Sequence, residues 1–129
     1  SAAVARVALA GDQVPAGKYA EQALRAHHVF AALESSQKII RGGDVRATLA
    51  YVELGQADAA VVYAADVRAT PGVEIVYTFA AETHDDIVYP LVLLERAVAN
   101  PAATRWFAFL LSATASESFA RHGFERIDP

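Results

Sequence analysis

Apolar positions along the chain fall into alternating strand-like and helix-like stretches. Val4–Ala10 (V-A-R-V-A-L-A) is mostly apolar and runs into Gly11-Asp12, which predicts a buried strand followed by a turn. From about Lys18 to Leu33, the residues Ala20, Ala23, Leu24, His27, Phe30 and Ala31 recur at spacings of three and four, the pattern of a single helix face. Lys38–Arg41 reads as a second short strand, broken by Gly42-Gly43. Asp44 then stands as N-cap of a helix over Val45–Leu54, with Gly55 in the place that closes such a helix. Ala59–Tyr63 reads as a third buried strand. Val73–Phe79 and Ile87–Leu94 read as two more, the latter interrupted by Pro90, which cannot donate to a ladder and predicts a bend or an edge. Asn100-Pro101 opens a helix to about Leu111, and Ser112 caps a last short helix that stops at Gly123. The order β-α-β-α-β, then β-β, then α-α predicts an α/β sandwich with a largely parallel sheet and flanking helices.

Composition narrows the function classes. The 129 residues suffice for one core but not for two full lobes. Net charge is −4 and no run of Lys or Arg reaches three residues, which argues against a nucleic-acid partner. There is no Cys, so disulfides, thiolate metal sites and Cys nucleophiles are excluded. No apolar stretch approaches the roughly 18–20 residues that span a bilayer. The opening Ser1–Arg6 lacks the basic and apolar regions of a signal peptide, so any export signal is expected outside this chain.

Candidate chemistry gathers where strands end. Gly11–Gly17 leaves the first strand and enters a helix near Ala16, Gly42–Val45 leaves the second strand, and Tyr63 ends the third. Ligands of open α/β sheets bind outside the carboxyl ends of the strands, and helix starts there offer unpaired N–H groups that suit an anion. Other candidates are weaker. His27 and His28 are adjacent and face different directions, unlike paired metal ligands. His84-Asp85-Asp86 reads as a solvated turn, and Ser35-Ser36 lacks the setting of a nucleophile. The apolar positions around Trp106–Leu111 cover nearly all sides of their helix and predict burial on more than one face.

Gly11–Leu24, Asp44–Asp66, Thr78–Leu91 and Phe109–Phe124 form four blocks that, in this order, resemble the periplasmic molybdate/tungstate-binding proteins of ABC importers. G-D-Q-V-P-A-G-K-Y-A-E-Q-A-L (Gly11–Leu24) is similar to their G-D-P-x-x-V-P-A-G-x-Y-A-x-x-A-L signature. D-V-R-A-T-L-A-Y-V-E-L-G-Q-A-D-A-A-V-V-Y-A-A-D (Asp44–Asp66) resembles their N-V-R-x-A-L-x-x-V-E-x-G-E-A-x-x-G-I-V-Y-x-x-D. T-F-A-A-E-T-H-D-D-I-V-Y-P-L (Thr78–Leu91) and F-L-L-S-A-T-A-S-E-S-F-A-R-H-G-F (Phe109–Phe124) are similar to the two closing blocks. The match runs from about Arg6 to the end. It departs from the pattern at Gly42-Gly43, where Pro or Ala is usual, and at Ala80, where Pro commonly follows Phe.

The resemblance implies the three-layer lobe of a type II periplasmic binding protein, with residues 1–92 as the second, ligand-binding lobe and 93–129 as closing helices near the lobe junction. It implies a non-enzymatic receptor that holds a dehydrated oxyanion through the backbone N–H of Ala16, the backbone N–H of Val45 and the hydroxyl of Tyr63. No cofactor and no metal other than the molybdate or tungstate ligand itself is implied. The family's remaining donors, two Ser hydroxyls with adjacent backbone, belong to a first lobe that this chain is expected to lack. The implied partners are the oxyanion and a membrane permease, the implied location the periplasm. Absence of the first lobe also predicts self-association through Ile87–Leu94 or Trp106–Leu111. The rival from another class is the ligand-sensing domain of a transcription regulator built on the same fold; a small enzyme using His84 with Asp85 or Asp86 lacks any accompanying nucleophile or cofactor motif.

Overall fold

The computed structural model describes residues 4–127. They form two compact units, the first ending at Asp86 and the second beginning at Ile87.

The first unit is built on three parallel strands, β1 (Val7–Ala10), β2 (Ile39–Gly42) and β3 (Ala59–Val61), in the order β2-β1-β3. The central strand is buried throughout, and its register sets Leu9 between Arg41 and Val61. Between strands run α1 (Pro15–Ala26), α2 (Phe30–Ser35) and α3 (Val45–Glu53), with α4 (Ala64–Arg68) after β3. Alternation along β1 divides the packing. Val7 and Leu9 join Ala20, Leu24 and Phe30 in one core beneath α1 and α2, with Leu33, Ile39, Val61 and Phe79 packed against it. Ala8 and Ala10, also buried, point to the opposite face. With the right-handed crossovers that parallel strands take, strand order β2-β1-β3 puts α1 and α3 on opposite faces of the sheet. The first unit forms the expected α/β lobe, helices flanking a parallel sheet.

Several elements are shorter than the sequence suggests, each for a local reason. β1 begins at Val7 rather than Val4. The N–H groups of Ala5 and Arg6 donate to the Asp58 carboxylate, at 2.7 and 2.8 Å, instead of entering a ladder. The helix expected over Lys18–Leu33 is two helices. At the end of α1, His28 takes a left-handed conformation (φ 59°), its N–H reaches the Arg25 carbonyl, and the Val29 N–H reaches the Leu24 carbonyl. These bonds satisfy the last carbonyls of α1 and turn the chain. Gln37 (φ 53°) closes α2 in the same way, with bonds from Gln37 to Glu34 and from Lys38 to Leu33. β3 stops at Val61, because Tyr63 already has the extended backbone of an N-cap for α4.

Val73–Phe79 and Ile87–Leu94, expected as strands, enter no ladder. An alternating segment becomes a strand only beside a partner, and among the described residues none flanks them; Val76 is 80% exposed. In the second unit, α5 (Pro101–Leu110) starts on Asn100, whose side chain accepts from the Ala102 N–H, and α6 (Ala113–Arg121) starts on Ser112. The Arg126 guanidinium donates to the Leu111 carbonyl at 2.6 Å, and Tyr89 meets Phe124 edge-on. α5 was expected to be buried on more than one face, yet none of its residues is buried. Trp106, stacked on Phe109, is 61% exposed. Within this unit α6 packs on α5.

Candidate functional site

The first arm of the site follows β1. The Val14 N–H donates to the Gly11 carbonyl to close the turn, and α1 starts at Pro15, which has no N–H and suits the first helical position. Val14 provides no side-chain cap. The N–H of Ala16 therefore has no acceptor among the described residues, although Ala16 is buried. Gly17 explains how the helix comes so near the strand end. A Cβ at this position would lie 2.1 Å from the Gly11 carbonyl oxygen and 2.5 Å from that of Ala10. Only a glycine lets the start of α1 rest directly on the carboxyl end of β1.

The second arm follows β2 and repeats the device on the other face. A Cβ on Gly42 would meet Thr48 at 2.4 Å from Oγ1 and 2.7 Å from its backbone nitrogen, so glycine again permits a close helix-to-strand contact. Asp44 caps α3 by accepting from the Ala47 N–H at 2.7 Å, which spends its carboxylate on the third helical position. The N–H of Val45, at the first position, has no acceptor among the described residues. Thr48, fully buried, returns its hydroxyl to the Asp44 carbonyl. The two arms are joined directly, the Gly11 N–H donating to the Gly42 carbonyl at 2.9 Å.

The third arm is Tyr63, half-buried, two residues beyond the end of β3 and at the N-cap of α4. Ala16, Val45 and Tyr63 thus all follow the carboxyl ends of neighbouring parallel strands. With strand order β2-β1-β3 the chain passes from β1 outward to β2 and then crosses back past β1 to β3, so the crevice beside the end of β1 is a topological switch point, the usual ligand address of such sheets. N–H groups of neutral backbone at two helix starts can stabilise an anion without any formal counter-charge.

The remaining candidates have local partners. Asp85 is clamped to α1 by Gln22, which donates to its carboxylate at 2.7 Å and accepts from its N–H at 2.9 Å. The His84 ring lies against Tyr19 and bonds the Asp85 carbonyl through Nδ1. His27 sits at the end of α1 against Tyr77 and Phe79. Ser35 Oγ bonds the Ala32 carbonyl. Sequence spacing gave no sign of the Gln22–Asp85 clamp, whose partners lie 63 residues apart. It likewise missed Arg41, which donates to the Ala10 carbonyl and pairs with Glu21. The carboxylate with a displaced pKa, Asp58, lies at the opposite, amino edge of the sheet. There the N–H groups of Arg6 and then Ala5 hold its pKa below the ordinary value.

The chain is 36% identical over 113 residues to a provisionally named ABC transporter substrate-binding lipoprotein of Bacillus subtilis. It is 35% identical, also over 113 residues, to the molybdate-binding protein of Escherichia coli. Each alignment covers 88% of this chain and 43% of the relative, so the chain spans less than half the length of these relatives. The solved substrate-binding domain of a provisionally named molybdenum ABC transporter from Clostridium difficile superposes with a TM-score of 0.82 at 30% identity. That superposition covers 97% of this chain and 54% of the other. The family model described as bacterial extracellular solute-binding protein matches residues 1–125, and the chain belongs to that family.

Proposed function

We propose that this chain contributes one side of the binding site of an oxyanion receptor, for molybdate or tungstate, that serves an ABC importer from outside the cytoplasmic membrane. The observation that carries the reading is the pair of unspent N–H groups, on Ala16 and Val45, at two helix starts tied together by the Gly11–Gly42 hydrogen bond. Tyr63, following the third strand, supplies a hydroxyl as the third donor. The naming of the relatives for molybdate selects the oxyanion class. The role is binding without catalysis: neutral donors on a rigid strand-helix frame replace the hydration shell of the anion without a covalent or acid–base step. In the periplasm, such a receptor would hand its cargo to a membrane permease. The exposed apolar residues of the second unit, Trp106 and Phe109 among them, support self-association of the chain as an accompanying property.

Isothermal titration calorimetry with molybdate, tungstate and sulfate, on the wild-type protein and on Tyr63→Phe, tests the reading. A hydrogen bond to a charged group contributes about 1.5–3 kcal/mol, so loss of the hydroxyl is expected to weaken molybdate binding roughly 10- to 100-fold. No saturable heat with any of the three anions would refute the function. Wild-type affinity in Tyr63→Phe would remove Tyr63 from the site.

A further inference from the structure

Arg41 stands out as a charged residue on the core-facing side of a strand. It is paired in register with the fully buried Leu9, and alternation puts it on the same face as Ile39, which packs against the α1–α2 core. A cation is tolerated there because β2 is an edge strand and the guanidinium lies at the rim, where its side chain is 33% exposed. The polar groups it meets are specific. Nη1 donates to the Ala10 carbonyl at 2.9 Å, and Nη2 pairs with the Glu21 carboxylate. Glu21 lies one turn beyond Gly17 on α1 and also faces Arg25 at 3.7 Å.

The Ala10 carbonyl is one of the two oxygens on which Gly17 closes. One planar guanidinium therefore grips both the strand-end carbonyl beneath the start of α1 and the flank of α1 itself. Its fixed fork of donors makes that a geometric constraint as well as a charge contact. We propose that Arg41 is a positioning residue for oxyanion binding: it holds the first turn of α1, and with it the Ala16 N–H, at its set distance from the end of β1. Its positive charge adds attraction for a dianion at the same edge. Arg41, Glu21 and Arg25 together carry one net positive charge, so the pairing with Glu21 does not cancel it. The inference rests on the oxyanion reading of this edge.

A surface ion pair without this role would contribute little to stability and nothing to affinity. The test is calorimetric titration of the full chain with molybdate at low and at high salt, for the wild type, Arg41→Gln, Arg41→Lys and Glu21→Gln, with urea unfolding alongside. Arg41→Gln is expected to bind about tenfold more weakly and to lose part of the salt dependence of binding. Arg41→Lys, which keeps the charge but not the planar fork, is expected to keep the salt dependence and to recover the affinity only in part. Glu21→Gln leaves Arg41 on Ala10 but loosens its hold on α1, and is expected to weaken binding by a smaller factor; it serves as the measured variant should Arg41→Gln fail to fold. Wild-type affinity and salt dependence in Arg41→Gln, or unchanged affinity in Glu21→Gln where that variant stands in, would overturn the inference and leave the oxyanion reading in place. No binding of molybdate by the wild type would bring down the reading and the inference together.

Discussion

Replacing Gly17 by Ala probes the frame of the site at its tightest point. The added Cβ would lie 2.1 Å from one backbone oxygen and 2.5 Å from another, where real Cβ atoms do not come within 3.0 Å. Neither oxygen belongs to a flexible side chain, so relief requires the start of α1 to retreat by about 1 Å from β1, an overpacking strain of about 1–3 kcal/mol. Alanine's better helix propensity returns up to about 1 kcal/mol, leaving a net loss of stability of about 1–2 kcal/mol. The effect on binding is larger in proportion. A donor displaced by about 1 Å from hydrogen-bonding distance no longer bonds, so loss of the Ala16 contact alone is expected to lower molybdate affinity about 10- to 100-fold. Urea unfolding reads the first effect and calorimetric titration the second. Gly43→Ala is the control, since a Cβ there meets nothing within 4 Å. A Gly17→Ala protein as stable as Gly43→Ala, with unchanged affinity, would refute the reasoning, because it would mean that α1 does not rest on the end of β1.

Two further substitutions test the frame away from the ligand. Asp58 accepts from the N–H groups of Arg6 and Ala5, which lower its folded pKa. The carboxylate therefore stabilises the fold at pH values above its unfolded pKa, and that contribution is lost as the pH falls through the lower folded value. Asp58→Asn is expected to unfold at lower urea concentration at neutral pH and to show a flatter stability profile below about pH 4; an acid limb identical to that of the wild type would count against it. Gln37 occupies a left-handed conformation that costs a side-chain-bearing residue about 1–2 kcal/mol, against about 0.5–1 kcal/mol for the greater freedom of glycine when unfolded. Gln37→Gly is accordingly expected to stabilise the protein by about 0.5–1 kcal/mol in chemical denaturation, and a loss of stability would contradict the αL closure of α2.

What could be read from the sequence was what short-range chemistry encodes. Asp44, Asn100 and Ser112 all cap the helices they were expected to cap, and Gly55 and Gly123 close theirs with positive φ. The order of strands and helices up to α3, apart from the division of the first helix into α1 and α2, followed from apolar periodicity with the Gly and Asp punctuation between elements. The breaks at His28 and Gln37 were not legible, because their residue types do not announce a left-handed conformation and the apolar face of α1 continues in phase into α2. The would-be strands at Val73–Phe79 and Ile87–Leu94 have the right alternation, but pairing depends on a neighbour and not on the segment itself. For the site, the turn-to-helix positions of Ala16 and Val45 were visible in the Gly-Pro and Gly-Asp punctuation. Their connection through Gly11 and Gly42, and the grip of Arg41 on Ala10, depend on sheet register, which no local pattern reveals.

The central claim is that an oxyanion binds at the carboxyl edge of the sheet through the N–H groups of Ala16 and Val45. Amide NMR of the isotopically labelled protein, titrated with molybdate, tests it most directly because it reports each N–H separately even when binding is weak. The account predicts saturable shifts of the Ala16 and Val45 amides, fitting one dissociation constant, while the amides of Ala5, Arg6 and Asp58 at the opposite edge stay in place. Shifts confined to other residues, or none at Ala16 and Val45 under molybdate that saturates a calorimetric signal, would contradict it.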